Sequence, residues 1–266
     1  MNKKPISKSK SSYLKRKNST KVNSNNIYLS KINNISLPKV TVVVNTMREH
    51  SLENVFENYD RQLYTESEMI IVLNNNCMNL KSWRVEASKH KKVRVYQLDE
   101  DITAGSCLNF AISKAKCDII VKFDDDDYYG PKYLYSIVQA FNRTNADIVG
   151  KAASFVYFKK SKILAIRHPQ KENKYVYHMD GPTMSIRKYV FNKVKFRDIS
   201  RGVDTYFSKD CTANGYKIYS TDRFHHVYIR QESPQKHCWQ ISDEEHLKMC
   251  EIVKENIDSF TNIVDI

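Results

Sequence analysis

The sequence predicts an α/β protein built on a mostly parallel central sheet flanked by helices, with a more β-rich second half. Three observations carry this. Short β-branched runs alternate with helical apolar patterns from Pro38 to about Phe141. These runs are mostly apolar, as strands covered on both faces are. Each also ends in polar residues, at the strand ends where parallel sheets gather their ligands.

The elements follow in order. VTVVVN (Val40 to Asn45) is the first strand, and Leu52, Val55, Phe56, Tyr59 and Leu63 then mark one helix face opened by Ser51. MIIVLN (Met69 to Asn74) is the second strand, followed by a helix around Leu80, Trp83 and Ala87. VRVYQL (Val93 to Leu98) is the third, and Leu108, Ala111, Ile112 and Ala115 mark a helix entered through Gly105. The fourth strand, Ile119 to Phe123, runs into four consecutive carboxylates, Asp124 to Asp127. Pro131 suits the first turn of a helix carrying Leu134, Ile137, Val138 and Phe141. Beyond it, residues 148–158 and 163–166 read as a hairpin, Asp204 to Ala213 as a helix, KIYS and HHVYI as short strands, and Ser242 to about Val253 as a last amphipathic helix.

Four strand ends therefore line up as Asn45-Thr46, Asn74-Asn75-Asn76, Asp99-Glu100-Asp101 and the Asp124–Asp127 run. Four polar ends in register suggest one crevice. Adjacent carboxylates repel and raise each other's pKa. A divalent cation carrying an anionic ligand would offset that cost, and hard oxygen donors suit Mg²⁺ or Mn²⁺. A solvated acidic turn is the competing reading.

Composition bounds the rest. Of 266 residues, 43 are Lys or Arg and 30 Asp or Glu, for a net charge of +13. Ten of the basic residues, and no acid, fall within residues 1–40, so the remainder is nearly balanced. Residues 1–38 are expected to be a disordered basic tail, free in solution or touching an anionic membrane or polymer. Residues 39–266 are expected to form one domain, with a nucleotide-binding half to about residue 130, an acceptor half to about 240 and a C-terminal helix at about 242–256. Neither a signal peptide nor a membrane span is legible. The tail offers only Tyr13 and Tyr28 for stacking and no recognition helix follows, which argues against specific nucleic-acid binding. Six cysteines without a CxxC pair read as free thiols, consistent with a cytoplasmic protein, peripheral at most to the inner face of a membrane.

The opening VTVVVNTMRE, the segments LYTESEMIIVLNNN and AGSCLNFAISKAKCDIIVKFDDDDYYGP, and the late GVDTYFSKDCTANGYKIY together resemble a family 2 glycosyltransferase of the GT-A fold, from about Val40 to Trp239. The family resemblance extends to enzymes of bacterial cell-envelope or spore-surface glycans. It implies inverting transfer of a sugar from a nucleotide-diphosphate donor, a UDP-sugar favoured, to a glycan, lipid-linked or protein acceptor, with Mn²⁺ or Mg²⁺.

The resemblance also assigns roles. Asp126 and Asp124 are the implied metal ligands, Asp124 also lying by the ribose, with Asp125 a further donor-site contact. Asp127 is either structural or acceptor-facing, and is expected to be the cheapest of the four to replace. Asn45, Thr46, Arg48, Glu49, Asn75, Asn76, Asp99, Gly105 and Asn109 are implied in nucleotide binding. Lys122 either balances the acids or is an outward surface lysine. Asp204 is the implied general base, the alternative being a helix cap; Val203 stands where relatives often carry Glu. His237, with His226 behind it, is a candidate third metal ligand. Asp180 either orients an acceptor or caps a turn.

Two other functions compete. A sugar nucleotidyltransferase would share the nucleotide-binding half, but it needs a glycine-rich phosphate loop and NTMREHS has no glycine. A non-catalytic polyanion-binding protein would act through the tail alone.

Overall fold

The computed structural model describes residues 37–231 and 241–266. Four parallel strands open it: β1 (Val40–Thr46), β2 (Ser67–Leu73), β3 (Val93–Gln97) and β4 (Ile119–Phe123). They alternate with helices α1 (Leu52–Asp60), α2 (Leu80–Ala87) and α3 (Ala104–Lys114). Beyond β5 (Tyr128–Tyr129) and α4 (Tyr133–Arg143) come β6 (Ile148–Gly150), β7 (Ser154–Phe158), β8 (Ile163–Arg167), β9 (Lys174–Val176) and β10 (Ser185–Arg187). Helix α5 (Val203–Ala213), β11 (Ile218–Ser220), β12 (His226–Arg230), α6 (Asp243–Leu247), β13 (Cys250–Lys254) and α7 (Thr261–Val264) complete the order.

The large sheet runs β3-β2-β1-β4-β10-β6-β11-β9, and β3, β2, β1 and β4 are mutually parallel. Its two faces explain the largely apolar runs. Val42, Val44, Val121 and Phe123 enter one core with Phe56, Trp83, Tyr133 and Phe141, while Val43, Ile70 and Ile120 enter another with Leu108 and Phe207. Each such side chain contributes roughly 1.5–3 kcal/mol on burial. The register pairs Thr46 with Leu73, Leu73 with Gln97, and Val44 with Phe123, so the four polar ends do meet one edge.

A second sheet runs β13-β8-β7-β12-β5. The β7–β8 hairpin expected from the sequence is present, whereas β6 joins the large sheet. The acidic run is the connection between the sheets: it leaves the large one at Phe123 and enters the second at Tyr128, which pairs with Val227.

The C-terminal helix is shorter than expected. It stops at Leu247, and Cys250–Lys254 pairs antiparallel with β8 instead. The residues Ile252 and Val253 are β-branched, and the open edge of β8 offers them a ladder that outweighs a marginal helix pattern. All five described cysteines, Cys77, Cys107, Cys117, Cys211 and Cys250, are free. Among the described residues no helix is long and apolar enough to cross a membrane.

Candidate active site

The four carboxylates occupy different environments, because the run turns from one sheet into the other. Asp125 is clamped from β1: it accepts from Thr46 Oγ1 and, at 2.9 Å, from Arg48 Nη1. The same Arg48 nitrogen lies 2.5 Å from Asp126 Oδ2. Arg48 is itself fixed through its backbone N–H, which donates to Thr46 Oγ1 at 3.0 Å. Asp124 pairs with Lys122, which points into the site and is no surface lysine.

Asp127 turns inward and is 1% exposed. Its Oδ1 accepts the Ile229 N–H at 3.0 Å and its Oδ2 lies 3.3 Å from His226 Nε2. This burial runs against the expectation that Asp127 would be the cheapest of the four to replace. Its side chain ties the run to Ile229 and His226 of β12.

Helix α1 supplies a support that sequence reasoning missed. Asn54 Nδ2 donates to the carbonyls of Asp125 and Asp127 at 2.9 and 3.1 Å, and Asn58 Nδ2 to that of Asp127 at 2.8 Å. Two amides four residues apart on one helix face were the available signal. The other missed residue is Tyr129. Its hydroxyl accepts the Asp124 N–H and donates to the Pro182 carbonyl, both at 2.7 Å. Its ring stacks on Phe123 with centroids 3.8 Å apart.

That hydroxyl leads to the candidate base. Gly181, next to Pro182, donates its N–H to Asp204 Oδ2 at 3.1 Å. Gly202, not Asp204, is the N-cap of α5, so Asp204 lies within the first turn. Asp180 pairs with Arg167 at 2.9 Å. Burial works against its charge, yet His178, 3.7 Å away, and the positive charge of Arg167 hold it below the usual carboxylate range.

Electrostatics sorts the acids. Burial first, then the charges of Asp127 and Asp125, push Asp126 up to about 8 despite Arg48. Burial raises Asp125 as well, against Arg48 and Thr46. For Lys122, burial is outweighed by Asp124, with Asp204 and Asp127 adding to the field, and its pKa is raised. The site holds Asp126 high first by excluding water and second by crowding carboxylates together. Its donors are hard carboxylate oxygens, so the run fits Mg²⁺ or Mn²⁺. Among the described residues no three His, Cys, Asp or Glu side chains converge as a ready metal cage. Such an ion would rely on one or two carboxylates plus ligand phosphates, as Mg²⁺ commonly does. His226 is sealed against Asp127, and burial drives its pKa down to about 3. His237 lies outside the described residues.

The remaining expected nucleotide contacts divide. Asn76 and Asp99 line a cavity of about 410 Å³ with Leu80, Arg84, Tyr96, Gln97 and Leu98, at the ends of β2 and β3. Asn75 Nδ2 reaches the Met47 carbonyl at 3.3 Å, tying the first two strand ends together. Asn45 carries a buried Oδ1 with no hydrogen-bond partner. Glu49 is committed elsewhere: its Oε2 accepts from Trp83 Nε1 at 3.2 Å and from the Asn79 N–H at 3.1 Å, fixing α2. Gly105 and Asn109 bind the segment that leads towards α5. Asn109 donates to the Phe196 carbonyl at 2.8 Å and accepts its N–H at 3.1 Å, and Gly105 donates to the Ile199 carbonyl at 3.0 Å.

Comparison with known proteins now bears on this arrangement. Two crystal structures of S. aureus TarS residues 1-349 are similar in fold. One matches with a TM-score of 0.58 at 15% identity, over 72% of this chain and 60% of that one. The other, in complex with UDP-GlcNAc, gives 0.59 at 16%, over 79% and 64%. The chain thus spans less than two thirds of either structure. A search of curated proteins gave no match. The family model for glycosyl transferase family 2 matches residues 40–198, covering all four parallel strands and the acidic run. The chain belongs to glycosyltransferase family 2.

Proposed function

We propose that the protein transfers a sugar, with inversion, from a nucleotide-diphosphate donor to a hydroxyl acceptor, with Asp204 as general base. The observation that carries this reading is the hydrogen-bonded path from Asp124 through Tyr129 to Pro182, and from the adjoining Gly181 to Asp204. It links the acids at the end of β4 to a carboxylate in the first turn of α5. Inverting transfer uses both kinds of group, one to stabilise the leaving group and one to accept the proton of the attacking hydroxyl.

The chain's own residues then have distinct tasks. Asp204 takes the acceptor hydroxyl proton as attack proceeds. Its hydrogen bond from Gly181 fixes the carboxylate while leaving Oδ1 for the acceptor. Asp124 and Asp126 would hold the divalent ion, whose chemistry when bound is Lewis-acid stabilisation of the negative charge developing on the leaving diphosphate. Arg48 and Lys122 supply further positive charge at the same edge. Asn76 and Asp99 offer amide and carboxylate groups to a nucleoside. The UDP-GlcNAc complex of the similar TarS fold supports a UDP-sugar donor.

The test is donor turnover, read as UDP release from a panel of UDP-sugars with Mn²⁺. Asp126→Ala and Asp204→Asn proteins that melt like the wild type should each lose at least a hundredfold. Turnover unchanged in either variant would remove that residue from the mechanism.

A further inference from the structure

Lys122 stands where the fold favours an apolar residue. In β4 the side chains alternate, and Ile120 on the same face enters the core formed with Val43, Leu108 and Phe207. Lys122 lies across from Val43 of β1. A charged group near such a face persists only if its ammonium finds a partner. Here Nζ pairs with Asp124 Oδ1. On the other side of the run, one Arg48 nitrogen spans Asp125 Oδ1 and Asp126 Oδ2 at 2.9 and 2.5 Å. The fourth acid, Asp127, is turned into the core against Ile229 and His226. Each of the other three carboxylates therefore already has a side-chain cation, and Asp126 shares its own with Asp125.

A bare divalent ion meets two obstacles in this arrangement. It must displace Lys122 from Asp124 or Arg48 from Asp126, and it is repelled by both. A nucleotide diphosphate removes both obstacles, because its oxygens can take the ammonium as a point charge and the guanidinium through its donor fork. The carboxylates are then released to the ion, and the phosphates add ligands of their own.

We propose that Lys122 and Arg48 are built-in counter-cations that occupy the acidic run in the donor-free protein, so that the divalent ion is admitted together with the nucleotide diphosphate. This rests on the donor-and-metal reading above. It makes metal binding a consequence of donor binding and keeps the site from filling with free ions.

Mn²⁺ binding read by electron paramagnetic resonance tests it without any turnover. The full-length wild type and Lys122→Met proteins are titrated with Mn²⁺, alone and with UDP. The wild type should bind Mn²⁺ at least tenfold more tightly with UDP than without. Lys122→Met should bind Mn²⁺ alone at least tenfold more tightly than the wild type does, a gain that damage to the fold would not produce. If Lys122→Met does not fold, Arg48→Gln carries the same expectation. UDP-dependent Mn²⁺ binding in the wild type, with no gain in the variant, overturns the counter-cation role and leaves the donor-and-metal reading standing. No Mn²⁺ binding in any form, with UDP present, overturns both.

Discussion

Asp127 Oδ2 lies 3.3 Å from His226 Nε2, with both side chains sealed from solvent. Burial raises the Asp127 carboxyl well above its usual range and drives the His226 imidazole down to about 3. The contact is thus a hydrogen bond between two groups that burial pushes towards neutrality, and its geometry matters more than its charge.

Asp127→Asn should accordingly be tolerated. An amide can accept the Ile229 N–H and donate to His226, so urea unfolding should move by less than about 1 kcal/mol. Asp127→Ala leaves the Ile229 N–H unpaired and a cavity beside Tyr129, and should cost about 2–4 kcal/mol. An Asn variant as unstable as the Ala variant would show that the negative charge is what the fold requires.

Tyr129 makes a different prediction, because its hydroxyl joins two parts of the site. Removing it in Tyr129→Phe leaves the Asp124 N–H and the Pro182 carbonyl without their partner, at about 1–3 kcal/mol of stability. The larger consequence is kinetic. With the acidic run uncoupled from the loop that holds Asp204, kcat should fall about tenfold, while UDP affinity stays within about twofold. An equal loss in UDP affinity would place the defect in the donor site alone.

These two residues also show what was legible in the sequence. The parallel strands, their polar ends and the acidic run could be read because largely apolar, β-branched-rich runs and dense charge are local signals. The division of labour within the run could not be read. Four identical residues differ only through what the next strand does, and the pairing of Tyr128 with Val227 lies 99 residues away along the chain. Lys122 was ambiguous for a related reason: alternation in a strand gives its face, not whether its tip finds an acid. Gly105 and Asn109 matched the family pattern, yet their visible contacts are with residues 196–199, which only the tertiary structure brings close. The C-terminal strand was misread as helix because its partner edge is likewise remote in sequence.

His246 predicts how stability responds to acid. The ring is buried against Phe158 and Tyr228, and burial first, then the charges of Arg167 and Arg230, lowers its pKa from 6.5 to about 4. A histidine kept neutral in the fold lets the unfolded chain bind the extra proton. Its contribution to stability is therefore intact above pH 6.5 and is lost as pH falls towards 4, by roughly 3 kcal/mol. His246→Phe should flatten the decline of Tm across that window. An unchanged slope would assign the acid sensitivity to other groups.

Two glycines separate a catalytic constraint from a folding one. A Cβ on Gly181 would meet Asp204 Cβ and Oδ2 at 3.3 Å, a contact that a shift of a few tenths of an ångström relieves. Gly181→Ala should therefore fold with a Tm close to that of the wild type, but with the carboxylate displaced and kcat reduced about tenfold. A Cβ on Gly105 would lie 1.9 Å from the Arg197 carbonyl oxygen, with no side chain free to yield. Gly105→Ala should cost about 3 kcal/mol or more and lower Tm before it changes any rate constant of the folded fraction. Melting curves and kcat measured on the same two preparations decide the matter. If Gly181→Ala retains full kcat, Asp204 does not need its present position, and its role as the base fails.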